Sequence, residues 1–329
     1  MNKILLIGAG QLGSRHLQGL AKVSFITQIF VVEPNSSNIE IAKSRYNEID
    51  TNIEHEISYY QSIENLPSKE FDIVIFATNA DIRYQLTKQL VDNYEIKYII
   101  FEKVAFQNER QFEEVIELLK FKNIKGWVNC PRRCIPNYHE LKETIKTFEN
   151  INMEAYGVEW GLACNSVHQI DFIAFLTEDP NYTIENNNLI NQVFQSKREG
   201  FVEFYGSYTG KTEKGNRFKV TCKQKESIDE KPILILKLYN DSEIIIINEG
   251  LGKVEHFKKG EIEPYKKDLF KLKYQSELTN LIVESLSNNE DLDLTTIEES
   301  YLIHKPFLKL LLQHLNKLRN TEIDTLPIT

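Results

Sequence analysis

Along the first 130 residues, short apolar runs alternate with longer stretches in which apolar residues recur every three or four positions. Lys3 to Ile7, Ile29 to Glu33, Asp72 to Ala77, Tyr98 to Phe101 and Lys125 to Val128 are rich in Ile, Val and Phe and too short for buried helices, so they read as strands. Gln11 to Val23, Asn38 to Tyr46, Ile82 to Asn93 and Glu109 to Lys120 carry the helical spacing, as in Val115, Leu118 and Leu119. Strands with little polar relief, each followed by a helix, predict a parallel sheet covered on both faces, because parallel neighbours need crossover connections. The expectation is a doubly wound α/β domain.

After Trp127 the rhythm changes. A Pro-punctuated segment, Cys130 to Pro136, leads to a helix near Tyr138 to Phe148 and a strand near Met153 to Glu159. Asn165 is placed to cap a helix through Ile170, Phe172, Ile173 and Leu176. Val202 to Tyr208, Phe218 to Lys223, Ile233 to Tyr239 and Glu243 to Asn248 alternate as antiparallel strands do, and the run Asn186 to Asn188 reads as a loop. Two helical patterns close the chain, Leu269 to Ser287 and Thr295 to Leu318, the second expected to kink or split at Pro306. Residues 1–126 are thus expected to form one domain and 127–329 an α+β domain with a largely antiparallel sheet.

At 329 residues with 41% apolar and 26% charged residues, the chain has the composition of a protein with real cores. Lys plus Arg number 39 against 48 Asp plus Glu, a net charge of -9 that opposes the phosphate neutralisation nucleic-acid binding requires. No apolar run approaches the roughly 18 to 20 residues that span a bilayer, and Gln11, Ser14, Arg15 and His16 follow the brief apolar start, Met1 to Gly10, where a signal peptide would continue its apolar stretch. A cytoplasmic protein without nucleic-acid or membrane partners is expected. The four cysteines are too few for a disulfide framework, and Cys130 and Cys134 lack companions for a four-ligand set, so no metal is expected.

Candidate chemistry begins at Gly8-Ala9-Gly10-Gln11-Leu12-Gly13, directly between the first strand and the first helix. Gly8 permits a tight turn, Gly10 lets the backbone approach a diphosphate, and Gly13 allows close helix-strand packing, while the helix N-terminus offers N–H groups to an anion. Glu33, about 20 residues further on at a strand end, can accept hydrogen bonds from ribose hydroxyls and repel a 2′-phosphate, which favours NAD over NADP. Ala77, Thr78 and Asn79 end another strand, where ligands sit in such sheets.

With Phe101-Glu102-Lys103-Val104, Asn129 to Arg133 and His168-Gln169-Ile170-Asp171 added to those segments, the chain resembles the Gfo/Idh/MocA oxidoreductases along nearly its whole length. The resemblance implies an N-terminal Rossmann domain, a nicotinamide cofactor contacted also by Glu102 and Lys103, and Lys103 and His168 as proton-transfer groups. It implies a substrate held by Lys103, Asn129, Arg132, Arg133, Asn165 and His168, of sugar, sugar phosphate, nucleotide sugar or cyclitol type, with hydride exchanged at a secondary hydroxyl or ketone. A homo-oligomer, dimer or tetramer, is expected. Arg132 and Arg133 suit either a bidentate anion or interdomain ion pairs, and Asp171 either orients His168 or anchors the helix. Two positions depart from the family pattern: Val104 replaces a proline that is often cis, and Cys164 replaces an aspartate four residues before the histidine. Alternatives within this fold are an NAD-using glycoside hydrolase and a non-catalytic NAD-binding partner protein.

Overall fold

The computed structural model describes residues 1–329. The chain divides into two compact units. The first comprises Met1–Phe106, Arg110–Cys134 and, from much later in the chain, Lys273–Glu298. Its elements are β1 (Asn2–Ile7), α1 (Gly13–Leu20), β2 (Thr27–Val32), α2 (Ser36–Asn47), β3 (Glu56–Tyr60), β4 (Glu70–Phe76), α3 (Ala80–Asn93), β5 (Glu95–Phe101), α4 (Glu109–Phe121) and β6 (Lys125–Val128). They build a sheet in the order β6-β5-β4-β1-β2-β3, parallel throughout, to which the short strand Thr295–Thr296 adds antiparallel beside β6. The order reverses between β1 and β4, the crevice where open α/β sheets bind ligands.

This sheet is parallel because its central strands are apolar on both faces. Ile4, Leu5, Leu6, Val74 and Ile99 are fully buried, each worth about 1.5–3 kcal/mol on leaving water. Leu17 and Leu20 of α1 join Ile282, Val283 and Leu286 of helix Thr279–Ser287 in the same core, so the returning segment covers one face of the sheet. Strand β3 escaped the sequence reading because it is the sheet edge, paired only with β2, and Glu56 and Ser58 on it are exposed.

The second unit contains α5 (Pro136–Ile145), β7 (Asn152–Val158), α6 (Leu162–Thr177), β8 (Tyr182–Leu189), β9 (Phe194–Gln195), β10 (Val202–Glu203), β11 (Gly206–Thr212), β12 (Arg217–Lys223), β13 (Ile233–Tyr239), β14 (Glu243–Asn248), β15 (Lys253–Lys258) and β16 (Lys266–Leu269). Eight of these strands form a sheet in the order β16-β15-β14-β13-β7-β12-β11-β8, antiparallel except for the β7–β12 pair. The α/β class, with one parallel and one mostly antiparallel sheet, is the expected one. Helix α6 packs on this sheet at β12, and Tyr138 of α5 meets Phe172 of α6 edge-on at 4.7 Å.

Three local expectations are corrected. Asn186 to Asn188 lie in β8, not a loop; β8 is an edge strand paired only with β11, so its polar residues face water. The segment 269–287 is α-helical only over Thr279–Ser287, preceded by a short 3-10 turn at Gln275–Glu277. Pro306 leaves helix Ile297–Arg319 unbroken, and Leu302, whose carbonyl it cannot serve, is exposed. No helix is long and apolar enough to cross a membrane.

Candidate cofactor site

In the first unit the glycine motif turns the chain from β1 into α1. Gly8 adopts φ +89°, and its amide donates to Val32 O at 2.8 Å, fastening the turn to β2. A Cβ at Gly13 would lie 2.0 Å from Gly8 O, so the helix can start this close to the strand only with glycine there. At Gly10 a Cβ would meet nothing within 4 Å. The protein itself does not need glycine at this point; the open space is what a closely approaching ligand would fill. The first helical hydrogen bond is Ser14 N to Gly10 O, which leaves the amides of Gln11, Leu12 and Gly13 as the open N-terminal donors of α1. Arg45 of α2 steadies this turn by donating to Ser14 Oγ at 2.5 Å and to Gln11 Oε1 at 2.9 Å.

Beside the motif lies a cavity of about 410 Å³, whose walls include Gly8, Gly10, Glu33, Asn38, Thr78 and Asn79. The structure therefore brings Gly8, Gly10, Glu33, Ala77, Thr78 and Asn79 to one hollow, whereas Gln11, Leu12 and Gly13, which follow Gly10 in the chain, do not line it. Glu33 is buried, and its carboxylate is fixed from three sides: Oε2 accepts from Ala9 N at 2.8 Å, while Oε1 accepts from Asn35 N at 3.0 Å and Asn38 Nδ2 at 3.2 Å. Thr78 Oγ1, also buried, has no hydrogen-bond partner within the protein. An orphaned hydroxyl, a backbone cradle open at Gly10 and a fixed carboxylate together fit the adenosine diphosphate half of a dinucleotide. The sequence pattern missed Asn38, Gln61, Ser62, Ile82 and Leu86, which also line the hollow; they lie on helix and loop positions with no motif of their own.

A second group gathers at the end of β5. The Lys103–Val104 peptide bond is cis, although the following residue is not proline. Arg83 of α3 holds this corner: Nη1 donates to Glu102 O at 2.5 Å, to Val104 O and to Ala105 O at 2.9 Å, and Nη2 donates to Thr78 O. Glu102 is buried, with Oε1 2.9 Å from His16 Nε2 and accepting from Asn129 Nδ2 at 2.5 Å. Burial pushes its carboxyl up, but the hydrogen bonds from His16 and Asn129 and the charges of His16 and Lys103 outweigh this and hold it below the usual glutamate range. Neither His16 nor Arg83 stood out in the sequence. The only signal is that His16 follows Gly13 by three residues on the buried side of α1. Arg132 and Arg133 sit on the short turn Pro131–Cys134 that follows β6, Arg133 buried and Arg132 partly so.

In the second unit, His168 lies on α6. From Leu162 to Leu176 every residue of that helix is buried except Cys164, Asn165 and His168, which share one face. Asn165 does not cap the helix as expected: α6 begins at Leu162 behind Gly161, and Asn165 Nδ2 donates back to Trp160 O at 2.6 Å. His168 is consequently in the second turn, beyond the reach of most of the N-terminal dipole. Asp171 is buried within the helix. Beside Cys164, the buried carboxyl of Glu203 accepts from Ala163 N at 2.5 Å and from Phe204 N at 2.9 Å. Burial raises its pKa despite these bonds. The helix start is thus satisfied by a carboxyl from another strand. No group of His, Cys, Asp and Glu side chains is arranged to hold a metal ion.

These features define an α/β protein with a dinucleotide-type site at the switch point of a parallel sheet. Residues 2–130 match the Gfo/Idh/MocA family model, described as "Oxidoreductase family, NAD-binding Rossmann fold". The whole chain has the fold of solved proteins of low sequence identity. UDP-N-acetylglucosamine 3-dehydrogenase GnnA from Acidithiobacillus ferrooxidans is 11% identical, with a TM-score of 0.68 over 95% of this chain and 96% of that one. Scyllo-inositol dehydrogenase from Lactobacillus casei, solved with NAD(H) and scyllo-inositol, is 15% identical, with a TM-score of 0.66 over 98% of both chains. The transcriptional regulator Gal80p from Kluyveromyces lactis is equally similar, 15% identical with a TM-score of 0.68 over 98% of this chain and 93% of that one. Among curated protein sequences none is similar enough to count as a match.

Proposed function

We propose that the protein is an NAD-dependent oxidoreductase acting at a secondary hydroxyl or ketone of a sugar, sugar phosphate, nucleotide sugar or cyclitol. The observation that carries this reading is the hollow in which the open backbone at Gly10 faces the fixed carboxylate of Glu33. The α1 amides would hold the diphosphate and Glu33 the adenosine ribose, its negative charge disfavouring a 2′-phosphate. Bound there, the cofactor supplies the hydride acceptor or donor.

Lys103 and His168 are the proposed proton-transfer groups, one taking the hydroxyl proton in oxidation and returning it to the ketone in reduction. Asn129, Arg132, Arg133 and Asn165 are the proposed substrate contacts. The substrate class is supported by the dehydrogenases of the same fold, which act on a nucleotide sugar and a cyclitol.

One observation favours a second reading. Cys164 occupies the open face of α6 where the family pattern has aspartate, and a transcriptional regulator shares the fold, which together support a non-catalytic dinucleotide-binding protein. A panel of sugars, nucleotide sugars and cyclitols assayed for nicotinamide absorbance change with NAD and NADP separates the two. Turnover with any member supports the enzyme; dinucleotide binding without turnover across the panel supports the regulator.

A further inference from the structure

The carboxylate of Glu33 has less to offer a ligand than its position suggests. Oε1 accepts from both Asn35 N at 3.0 Å and Asn38 Nδ2 at 3.2 Å, which uses both of its lone pairs, and Oε2 accepts from Ala9 N at 2.8 Å, which leaves one. An adenosine ribose carries two neighbouring hydroxyls, so Glu33 can take a hydrogen from one of them and the other needs a second acceptor. Asn38 stands beside Glu33 in the first turn of α2, its amide N–H held by the capping oxygen Asn35 Oδ1 at 3.4 Å, and it lines the same hollow. The neighbour fixes which way its side-chain amide is turned. Nδ2 faces the Glu33 oxygen, because Oδ1 in that place would set two acceptors against each other. Oδ1, which accepts from no group of the protein, is the acceptor left over. The hollow also lacks a cation. Of the residues lining it only Glu33 and Glu64 are charged, while the basic residues of α2 are engaged elsewhere, Lys43 with Glu40 at 2.9 Å and Arg45 with Ser14 and Gln11.

We propose that Asn38 is a specificity-determining residue of this site: its Oδ1 receives the ribose hydroxyl that Glu33 does not, so position 38 decides whether a free hydroxyl or a 2′-phosphate is accepted. The inference rests on the reading that the hollow holds the adenosine half of a nicotinamide dinucleotide. A 2′-phosphate replaces a hydrogen-bond donor by a group of charge about −1.5 to −2 whose oxygens accept. At Asn38 Oδ1 two acceptors would then meet, with no lining cation to receive the charge. The two side chains thus divide the work. Glu33 fastens the glycine turn at Ala9 to the start of α2 at Asn35 and takes one hydroxyl, and Asn38 takes the other.

Fluorescence titration of NADH and NADPH, each separately, into wild type, Asn38→Leu and Asn38→Arg tests this. Leucine keeps nearly the size of asparagine and removes both amide atoms. It should weaken NADH about fivefold, the loss of one hydrogen bond, and leave NADPH within about twofold, because NADPH makes no bond to Oδ1. Asn38→Arg places a guanidinium where the 2′-phosphate would lie and should raise the affinity for NADPH relative to NADH by about tenfold or more. Equal losses of NADH and NADPH in Asn38→Leu overturn the proposal, since general damage to the hollow would weaken both alike. An unchanged ratio in Asn38→Arg overturns it as well, and so does a wild type that prefers NADPH. Should Asn38→Leu fail to fold, Asn38→Arg, whose long side chain can reach water from this half-buried position, decides the matter by the same ratio. A wild type that binds neither dinucleotide would instead count against the reading of the hollow itself.

Discussion

Glu33 Oε2 accepts a hydrogen bond from Ala9 N at 2.8 Å, so the carboxylate at the end of β2 and the glycine turn after β1 form one rigid unit. The two residues are 24 apart in sequence, yet this bond sets both the charge of the hollow and the path of the backbone around it.

Glu33→Ala removes that link and the charge together. Its NADH affinity is expected to fall about tenfold or more, with the preference for NADH over NADPH narrowed or reversed, since the group opposing a 2′-phosphate is gone. Fluorescence titration with both reduced dinucleotides measures this, and an unchanged preference would refute the assignment of Glu33 to the ribose.

Gly10→Ala and Gly13→Ala should behave oppositely although they lie three residues apart. A methyl at Gly10 meets nothing within 4 Å, so thermal stability should stay within about 0.5 kcal/mol of wild type while dinucleotide affinity drops. At Gly13 the methyl would sit 2.0 Å from Gly8 O, and folding of the first unit should suffer by several kcal/mol, of the order seen for severe overpacking. Melting curves and titrations on the two variants provide the comparison.

Lys103→Ala and His168→Ala are expected to retain dinucleotide binding and lose turnover by about 100-fold or more, the usual scale for positioned acid-base groups. Full activity in both variants would remove them from the mechanism.

Acid should weaken the first unit through Glu102. Its pKa is depressed in the folded protein, so its contribution to stability is fully present above the unfolded glutamate value near 4.3 and is lost as pH falls through the lower folded value. Glu102→Gln should therefore be less stable than wild type by about 3 kcal/mol at neutral pH and show a shallower loss of stability on acidification. Parallel pH-dependent curves for the two proteins would contradict this.

Much of this architecture was legible in the amino-acid order because burial dictated it. Strands such as Lys3 to Ile7 and Asp72 to Ala77 are apolar on both faces, and only a sheet covered on two sides accommodates that. Edge strands were not legible: β3 and β8 carry polar residues toward water and so look like loops. Nothing in the periodicity of 273–298 announces that it returns to the first unit, since an amphipathic helix records that it packs but not against what. The glycine motif and Glu33 could be read because their chemistry depends on local spacing. The His16, Glu102, Asn129 and Thr279 network could not, because its members are separated by up to 263 residues and meet only through the tertiary fold.

The central claim is that the amides of α1 and the carboxylate of Glu33 receive a nicotinamide adenine dinucleotide. Its most direct test is calorimetric titration of NADH into the purified protein alongside Gly10→Ala. Saturable one-to-one binding by the wild type, weakened at least tenfold in the variant, is the predicted result; no heat of binding with wild type, or equal affinity in both proteins, would contradict it.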